Sequence, residues 1–257
     1  MEFGLSGKRV LVTGGTSGIG AGIGKAFAAE GARVAINGVT ATDKKQALAS
    51  ELDDDAFVID ADISDANAVA RMFTAIDERW SGLDILVNNA GIDGERALGW
   101  EADPTAWTRV IDVNLKGPFL CAREALRRMV PARAGVIINI TSVHEVIAWT
   151  GYSAYVASKA GLAMMAKTLA QEAAPYGVRV LSIAPGAIAT PINQTVWQDA
   201  KGRKDLLDKI PLGRIGDPAD IAKMAVVLAS DVASYITATS VFVDGGMTDY
   251  PDFAHGG

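Results

Sequence analysis

The chain has 257 residues, of which 49% are hydrophobic, and a formal net charge of −6 at pH 7. This length suffices for one large domain with a substantial core, and the composition excludes a disordered chain. The acidic balance argues against a nucleic-acid-binding surface, which needs a basic patch.

Neither a membrane helix nor a secretory signal is predicted. No apolar run approaches the roughly 20 residues that span a bilayer, and residues 1–9 are short and polar. The single cysteine, Cys121, occupies an apolar helical position, where we interpret it as a core thiol. We therefore expect a cytoplasmic protein without membrane or nucleic-acid partners.

Strand-like and helix-like segments alternate from end to end. The strand-like runs are short, β-branched and apolar on both faces, as in a buried parallel sheet. They cover 9–12, 34–36, 57–59, 85–87, 136–140, 178–183 and 241–243. Helical periodicity covers 19–29, 44–52, 66–79, 105–128, 154–173 and 219–229. This alternation predicts right-handed crossovers and a single α/β domain over 1–257, with a doubly wound parallel sheet flanked by helices.

A glycine-rich turn follows the first strand. The run from Thr13 to Gly20 reads Thr-Gly-Gly-Thr-Ser-Gly-Ile-Gly, one residue wider between glycines than the usual dinucleotide fingerprint. Glycine permits a sharp turn and close approach of a pyrophosphate, and the next helix directs free N–H groups at the phosphates. Gly22 and Gly24 are interpreted as close helix–sheet contacts. The turn predicts a dinucleotide site, although a purely structural turn is the alternative.

A Tyr-x-x-x-Lys pair lies in the fifth predicted helix. Tyr155 and Lys159 are one turn apart on the same helical face. A phenol with a pKa of about 10 is a poor base at neutral pH, and a fixed cation beside it would lower that pKa. Taken alone, the pair could be two exposed side chains of a solvent-facing helix with no catalytic role. Downstream of a nucleotide site, it predicts proton exchange with an alcohol.

These motifs, with Asn88-Asn89-Ala90-Gly91, Asn114, Ser142 and Pro185-Gly186, resemble the short-chain dehydrogenase/reductases in order and spacing over the whole chain. The resemblance implies a Rossmann fold with seven parallel strands in the order 3-2-1-4-5-6-7. It also implies that Ser142 holds the substrate oxygen and Tyr155 takes the hydroxyl proton as hydride passes to nicotinamide. Lys159 would lower the tyrosine pKa and anchor the nicotinamide ribose, and Asn114 would hold a water in a proton relay.

The resemblance also implies a cofactor site and no metal. In it, Asp62 would meet the adenine amino group, and the segment from Pro185 to Thr190 would contact nicotinamide. The implied cofactor residues are Gly14, Thr16, Ser17, Gly18, Ile19, Gly20, Asn37, Asp62, Ile63, Asn89, Ala90, Gly91, Tyr155, Lys159, Pro185, Gly186, Ile188 and Thr190.

The choice of nucleotide is less clearly encoded. NAD-preferring members usually carry an acid at the end of the second strand, and residues 37–40 contain none. Val39 and Ser17 stand where NADP-preferring members often carry a basic residue. Thr40, Thr42 and Lys44 could meet a 2′-phosphate, or Thr42 or Asp43 could cap a helix. We predict use of both NAD and NADP.

Two further segments resemble the bacterial glucose 1-dehydrogenase branch: Ser-Val-His-Glu from Ser142, and the Gly-Gly-Met-Thr-x-Tyr-Pro-x-Phe tail. They imply oxidation of C1 of a cyclic aldose to the lactone. Polar side chains near the expected pocket are candidates for substrate binding: Asp93, Glu95, Arg96, His144, Glu145 and Asn193. Arg96 departs from that branch. With His144, and with His255 from a neighbouring tail, it could bind a carboxylated, phosphorylated or sulfonated aldose; a solvated Arg96 is the alternative.

Other functions remain open at this point. A carbonyl or 3-oxoacyl thioester reductase would use the same catalytic residues, although the acid-rich 93–103 region does not favour carrier-bound substrates. A non-catalytic nucleotide sensor could dispense with the tyrosine. The resemblance further implies a helical substrate lid over about 190–209, an apolar C-terminal tail at 247–257 and a homotetramer.

Overall fold

Seven parallel strands in the order β3-β2-β1-β4-β5-β6-β7 form the centre of the computed structural model. The structure describes residues 2–39, 48, 51–52, 55–191 and 199–249. The strands are β1 (Arg9–Val12), β2 (Arg33–Asn37), β3 (Phe57–Ile59), β4 (Ile85–Asn88), β5 (Gly135–Ile140), β6 (Val178–Pro185) and β7 (Ser240–Val243). All six neighbouring pairs are parallel. The predicted doubly wound sheet is confirmed, with strand boundaries within two residues.

The helices of the described ranges connect these strands. They are α1 (Gly18–Ala29), α2 (Ala66–Trp80), α3 (Pro104–Ile111), α4 (Gly117–Ala132), α5 (Ser153–Ala173), α6 (Ala200–Leu207) and α7 (Pro218–Ala229). The helix predicted over 105–128 is wrong in one respect, because a π-helical turn at Asp112–Lys116 separates α3 from α4. The helix predicted over 44–52 lies mostly outside the described residues. Helix α6 falls within the predicted lid segment, of which 192–198 is likewise outside them.

Aspartate side chains begin four of these helices. Asp65, Asp103, Asp199 and Asp217 stand at the N-cap positions of α2, α3, α6 and α7, and each accepts a hydrogen bond from a backbone N–H of the first turn. Such caps satisfy donors that have no partner within the helix, and each contributes about 1 kcal/mol. The caps therefore fix where the chain leaves each loop and enters the helix.

The hydrophobic core forms one layer on each face of the sheet. Val10 and Val12 of β1 face the layer that contains Phe27 of α1, whereas Leu11 faces the layer that contains Phe73 of α2. All of these side chains are fully buried or nearly so. Because successive strand residues point to opposite faces, the continuous apolar runs of the sequence are explained by burial on both sides.

Two predictions about small residues have different outcomes. Cys121 is buried, as predicted, and burial raises the pKa of its thiol to about 12. Gly24 does contact the sheet, since a Cβ atom there would lie 2.8 Å from Ile36 Cδ1. The prediction for Gly22 is wrong: its neighbour is Pro218 at the start of α7, so it permits a helix–helix contact.

Within the ranges that the structure describes, no helix has the length and apolarity needed to cross a bilayer. The same ranges contain no group of three or more His, Cys, Asp or Glu residues placed to hold a metal ion. The homotetramer stays a prediction. Phe119 on α4 and Met164 on α5 are exposed apolar side chains on the helices that were expected to pack against a second subunit.

Candidate active site

The glycine turn packs directly against the segment after β4. Gly14 has a φ of 60°, and a Cβ atom there would lie 2.7 Å from Ala90 Cα. The Asn89 amide donates to the carbonyls of Thr13 and Gly14 at 3.0 and 2.9 Å. A Cβ atom at Gly20 would collide with that amide. The two motifs therefore form one rigid unit, in which glycine is required sterically.

Replacing Gly20 by alanine should weaken binding of NAD and NADP. The added methyl group overlaps the Asn89 amide and the Gly14 carbonyl, and overpacking of this kind costs about 1–3 kcal/mol. If this strain destabilises the conformation of the turn that binds the nucleotide, the Kd for NAD and NADP rises by about 5- to 150-fold. Isothermal titration calorimetry measures the change. Gly99→Ala is the control, since nothing lies near its added methyl group; equal affinities of the two variants would contradict the role of the turn.

A two-lobed cleft runs along the carboxyl ends of the strands. One lobe, of about 370 Å³, lies over the glycine turn; the other, of about 440 Å³, lies over Ser142. Ile19, Asn89, Gly91 and Thr190 line both lobes, so the lobes are continuous. Crevices at this edge of a doubly wound sheet are the usual sites for dinucleotides.

The lining of the cleft fits such a cofactor. The side chain of Ser17, at the N-cap of α1, makes no capping hydrogen bond, which leaves first-turn N–H groups for a phosphate. Every residue implied for cofactor binding lines one lobe or the other, except Gly20, which shapes the turn. A bound nicotinamide cofactor would supply hydride transfer, and the residues of this chain would hold and orient it.

At the far end of the first lobe, Asp62 is held by its neighbours. Its Oδ1 accepts from the backbone N–H and the hydroxyl of Ser64 at 2.9 and 2.7 Å, and its Oδ2 accepts from Arg109 at 2.9 Å. These hydrogen bonds outweigh partial burial and lower the pKa of Asp62. The carboxylate is thus charged and oriented at the rim. Sequence reasoning missed Arg109, which lies near the start of the helix predicted over 105–128 and belongs to no motif.

The end of β2 bears no charged side chain up to residue 39, the last one described there. Asn37 lines the lobe, but its amide donates to the carbonyls of Ile59 and Ala61 at 3.2 and 3.0 Å. Its two N–H donors are therefore already used within the protein. Val39 is 77% exposed. The 2′-phosphate candidates Thr40, Thr42 and Lys44 lie outside the described residues. Use of both nucleotides therefore stays a prediction.

Ser142, Tyr155 and Lys159 meet in the second lobe. Ser142 lies near the Tyr155 phenol and lowers its pKa by hydrogen bonding. Lys159 is 5% exposed; its Nζ donates to the Ile140 carbonyl at 2.9 Å and lies 5.6 Å from the centre of the tyrosine ring. The sequence-predicted triad thus lies together, one member from the end of β5 and two from α5.

The predicted lowering of the tyrosine pKa by the lysine is wrong for this structure. Burial raises the pKa of Tyr155 to about 12, although the bond to Ser142 opposes the rise. Burial also lowers the pKa of Lys159 to about 8, against the attraction of Asp93 and Glu145. Desolvation penalises both charged forms, and the ammonium is bound to a carbonyl rather than to the phenol. The tyrosine is therefore a neutral phenol at pH 7.

Asn114 lies in the π-helical turn and is fully buried. Its amide exchanges two hydrogen bonds with the backbone of Ile92, at 2.8 and 2.7 Å, and donates to Ser158 at 3.3 Å. A Cβ atom at Gly91 would lie 3.3 Å from Asn114 Oδ1 and 3.6 Å from Lys159 Nζ. Asn114 and Lys159 therefore approach each other beside Gly91, and the water relay remains a prediction. Single π turns of this kind are frequent at functional sites.

Comparison with known proteins places this site in a family. The family model described as enoyl-(acyl carrier protein) reductase matches residues 14–248. A 3beta-hydroxysteroid dehydrogenase 1 of Eggerthella lenta is 43% identical, with 98% of each chain covered. A 3-oxoacyl-acyl-carrier-protein reductase of Staphylococcus aureus is 39% identical over 93% of this chain and 98% of its own. The chain belongs to the short-chain dehydrogenase/reductase family.

Solved structures agree with that assignment. A protein of Agrobacterium tumefaciens, provisionally assigned as a gluconate dehydrogenase, superposes with a TM-score of 0.93 at 33% identity, covering 97% of this chain and 99% of its own. A provisionally assigned short-chain alcohol dehydrogenase of Sinorhizobium meliloti gives 0.91 at 36% identity, with the same coverage. The protein is thus an NAD(P)-dependent oxidoreductase acting on CH–OH or carbonyl groups. None of these four relatives carries the name of a glucose 1-dehydrogenase.

The short-chain dehydrogenase/reductase site contains only some of the predicted substrate residues. Asp93 and His144 line the catalytic lobe. Glu95 lines a smaller side cavity behind Tyr155, and the exposed Arg96 lines neither, since its side chain lies against Gly151.

Of two further substrate candidates, one does not line the lobe and the other lies outside the described residues. Glu145 does not line the catalytic lobe, and its Oε2 is buried without a hydrogen-bond partner among the described residues. Asn193 lies outside the described residues, as does His255. The anion-binding cluster of Arg96 and His144 is therefore not assembled in this structure.

Aromatic side chains of the lobe were missed by sequence reasoning. Trp149 and Tyr152 line it and stack on each other with ring centres 3.9 Å apart. Leu206 of α6 and Met247 complete an apolar side. The available signal was the density of aromatic residues between Ser142 and Tyr155, in a loop that returns to the helix carrying the catalytic tyrosine.

Proposed function

We propose that the protein is an NAD(P)-dependent sugar dehydrogenase that oxidises the C1 hydroxyl of an uncharged, glucose-like cyclic aldose to the lactone. The observation that carries this proposal is a pair of hydrogen-bond acceptors, Asp93 and His144, in the lobe that holds Ser142 and Tyr155. A substrate that satisfies two acceptors beside the reacting hydroxyl must offer further donors. A polyhydroxylated ring does so.

The state of each acceptor follows from its surroundings. His144 Nδ1 lies 3.0 Å from the Ile147 carbonyl, which only accepts, so the proton resides on Nδ1 and Nε2 is left as the acceptor. Burial lowers the pKa of His144 and keeps the ring neutral at pH 7. Asp93 has no hydrogen bond among the described residues, and its pKa is raised by burial. Both groups therefore gain from a hydroxyl donor.

Uncharged substrates are favoured over anionic ones. The carboxylate of Asp93 would repel a carboxylate, phosphate or sulfonate, and Arg96 does not line the lobe to compensate. A 3-oxoacyl thioester offers acceptors rather than donors around its reacting carbonyl, which does not suit Asp93 and His144. The name of the Agrobacterium relative includes gluconate, an anion, so charge is a feature on which members of this family can differ.

Oxidation of a hydroxysteroid is the second candidate. The lobe has an apolar side formed by Val143, Trp149, Leu206 and Met247, which would suit the rings of a steroid. The Eggerthella relative, at 43% identity, is named a 3beta-hydroxysteroid dehydrogenase. Such a substrate has few donors, so it would leave Asp93 without a partner in a closed site.

A substrate panel distinguishes these candidates. Formation of reduced nicotinamide from NAD or NADP is followed with neutral aldoses, aldonates, uronates, sugar phosphates and 3β-hydroxysteroids as substrates. Reduction of 3-oxoacyl thioesters is followed as consumption of the reduced cofactor. We expect turnover of neutral aldoses. Turnover confined to hydroxysteroids, to anionic sugars or to 3-oxoacyl thioesters would refute the proposal in favour of that substrate.

Replacing Asp93 by asparagine should impair the oxidation of aldoses specifically. A hydrogen bond to a charged group is worth about 1.5–3 kcal/mol, so kcat/KM should fall by about 10- to 150-fold, with cofactor affinity unchanged. Glu101→Gln, a nearby exposed acid outside the lobe, is the control. An unchanged kcat/KM for the preferred aldose would show that Asp93 does not bind it.

A further inference from the structure

The ring of Tyr155 borders two cavities rather than one. On one side lies the catalytic lobe. On the other lies the side cavity, which Asp93, Trp107, Val110 and Tyr152 also line. A side chain with space on both sides is not held in one rotamer by close packing alone. Something else must set the direction of the phenol.

A stack of three rings lies beside the tyrosine, and two of them meet it edge to face. His144 and Trp149 are nearly parallel, with centres 4.6 Å apart and an angle of 7° between their planes; Tyr152 stacks on Trp149 at 3.9 Å. The Trp149 ring is 5.7 Å from the Tyr155 ring at 82°, and the His144 ring is 6.1 Å from it at 75°. Edge-to-face pairs at these separations are attractive and directional.

The stack is itself fixed by the backbone. The His144 ring is bound to the Ile147 carbonyl, and its backbone N–H donates to the Ser142 hydroxyl at 3.2 Å. The Tyr152 N–H donates to the Trp149 carbonyl at 3.1 Å, immediately before α5 begins. The stack is therefore continuous with the residues that hold the reacting oxygen, and Trp149 is its central member.

We propose that Trp149 is a positioning residue that, through its edge-on contact, holds the Tyr155 phenol toward Ser142 and away from the side cavity. The effect on catalysis rests on the proposed oxidation, in which Tyr155 exchanges the proton. The effect on the position of the Tyr155 ring does not rest on that oxidation, since this position can be measured in the protein without substrate. Trp149 is 37% exposed, so its exposure alone would mark it as a surface residue rather than as part of the site.

The test compares Trp149→Ala with Trp149→Phe. Misplacement of a reacting group by about 1 Å can cost on the order of 100-fold, so the alanine variant should lose about 10- to 100-fold in kcat, with the cofactor Kd unchanged. Phenylalanine keeps a ring for the edge-on contact and should restore most of the loss. Trp100→Ala removes the same indole from a position that is 82% exposed and makes no ring contact among the described residues, so it should leave kcat unchanged.

Fluorine NMR of fluorotyrosine-labelled protein supplies a readout that needs no substrate. The Tyr155 resonance, assigned by its loss in Tyr155→Phe, should broaden or split in Trp149→Ala, beyond the shift that loss of the indole ring current causes by itself, and should be single again in Trp149→Phe. One sharp resonance in the alanine variant would overturn the inference. So would a raised substrate KM with unchanged kcat, which would make Trp149 a substrate contact only. Silence of the wild-type protein on every substrate would refute the proposed function and leave the NMR result to decide the positioning role.

Discussion

Replacing Tyr155 by phenylalanine should lower kcat by about 10²- to 10⁴-fold, the contribution expected of a positioned acid–base group, and should leave cofactor binding intact. The variant keeps the ring that contacts His144 and Trp149 and removes only the phenolic oxygen. Initial rates under saturating substrate, together with calorimetric titration of NAD and NADP, separate the two effects.

The raised pKa of the phenol adds a pH signature. With a pKa of about 12, only about one molecule in 10⁵ of the free protein carries phenolate at pH 7. Alcohol oxidation needs the deprotonated form, so its rate should rise with pH through the neutral range in the wild type. This rise should be absent in Tyr155→Phe. Tyr152→Phe, which removes a second phenol from the same lobe, should affect turnover far less; equal losses in both variants would contradict a unique role for Tyr155.

The fold could be predicted well because its determinants are local in sequence. The short apolar runs match the strands, since strands covered on both faces must be apolar at every position. The glycine turn could be predicted although its cause is a tertiary contact: Gly14 and Gly20 lie where Ala90 and Asn89 leave no room for a Cβ atom. Where no Cβ atom fits, only glycine is tolerated. The glycines themselves therefore mark the turn in the sequence, even when the residues that pack against it are unknown.

The parts that could not be predicted depend on tertiary contacts. Helical periodicity does not reveal the π turn at Asp112–Lys116, because the turn is only five residues long and has helix on both sides. The sign of the Tyr155 pKa shift depends on how deeply the phenol is buried, whereas the sequence shows only its spacing from Lys159. The same holds for Arg96, which is close to the site along the chain but lies against Gly151 in the fold.

Replacing Lys159 by methionine should abolish efficient turnover and yet stabilise the folded protein at pH 7. The buried ammonium has a pKa of about 8, against 10.5 for an ordinary lysine. At about 1.4 kcal/mol per pH unit, keeping this charge buried costs the folded state about 3 kcal/mol. Methionine removes that cost and loses the hydrogen bond to the Ile140 carbonyl, worth about 1 kcal/mol. A net gain of about 2 kcal/mol in the free energy of unfolding is expected.

The pH dependence of that gain identifies its cause. Below pH 8 the lysine is charged in both the folded and the unfolded wild type, so the cost is fully present. Between pH 8 and 10.5 the unfolded state binds more protons than the folded state, so wild-type stability rises with pH relative to the variant. Urea unfolding of both cofactor-free proteins at neutral pH and near pH 10 measures the two differences. A gain of equal size at both pH values would show that packing, rather than the buried charge, separates the two proteins. A variant less stable than the wild type at neutral pH would show that the buried lysine stabilises the folded protein.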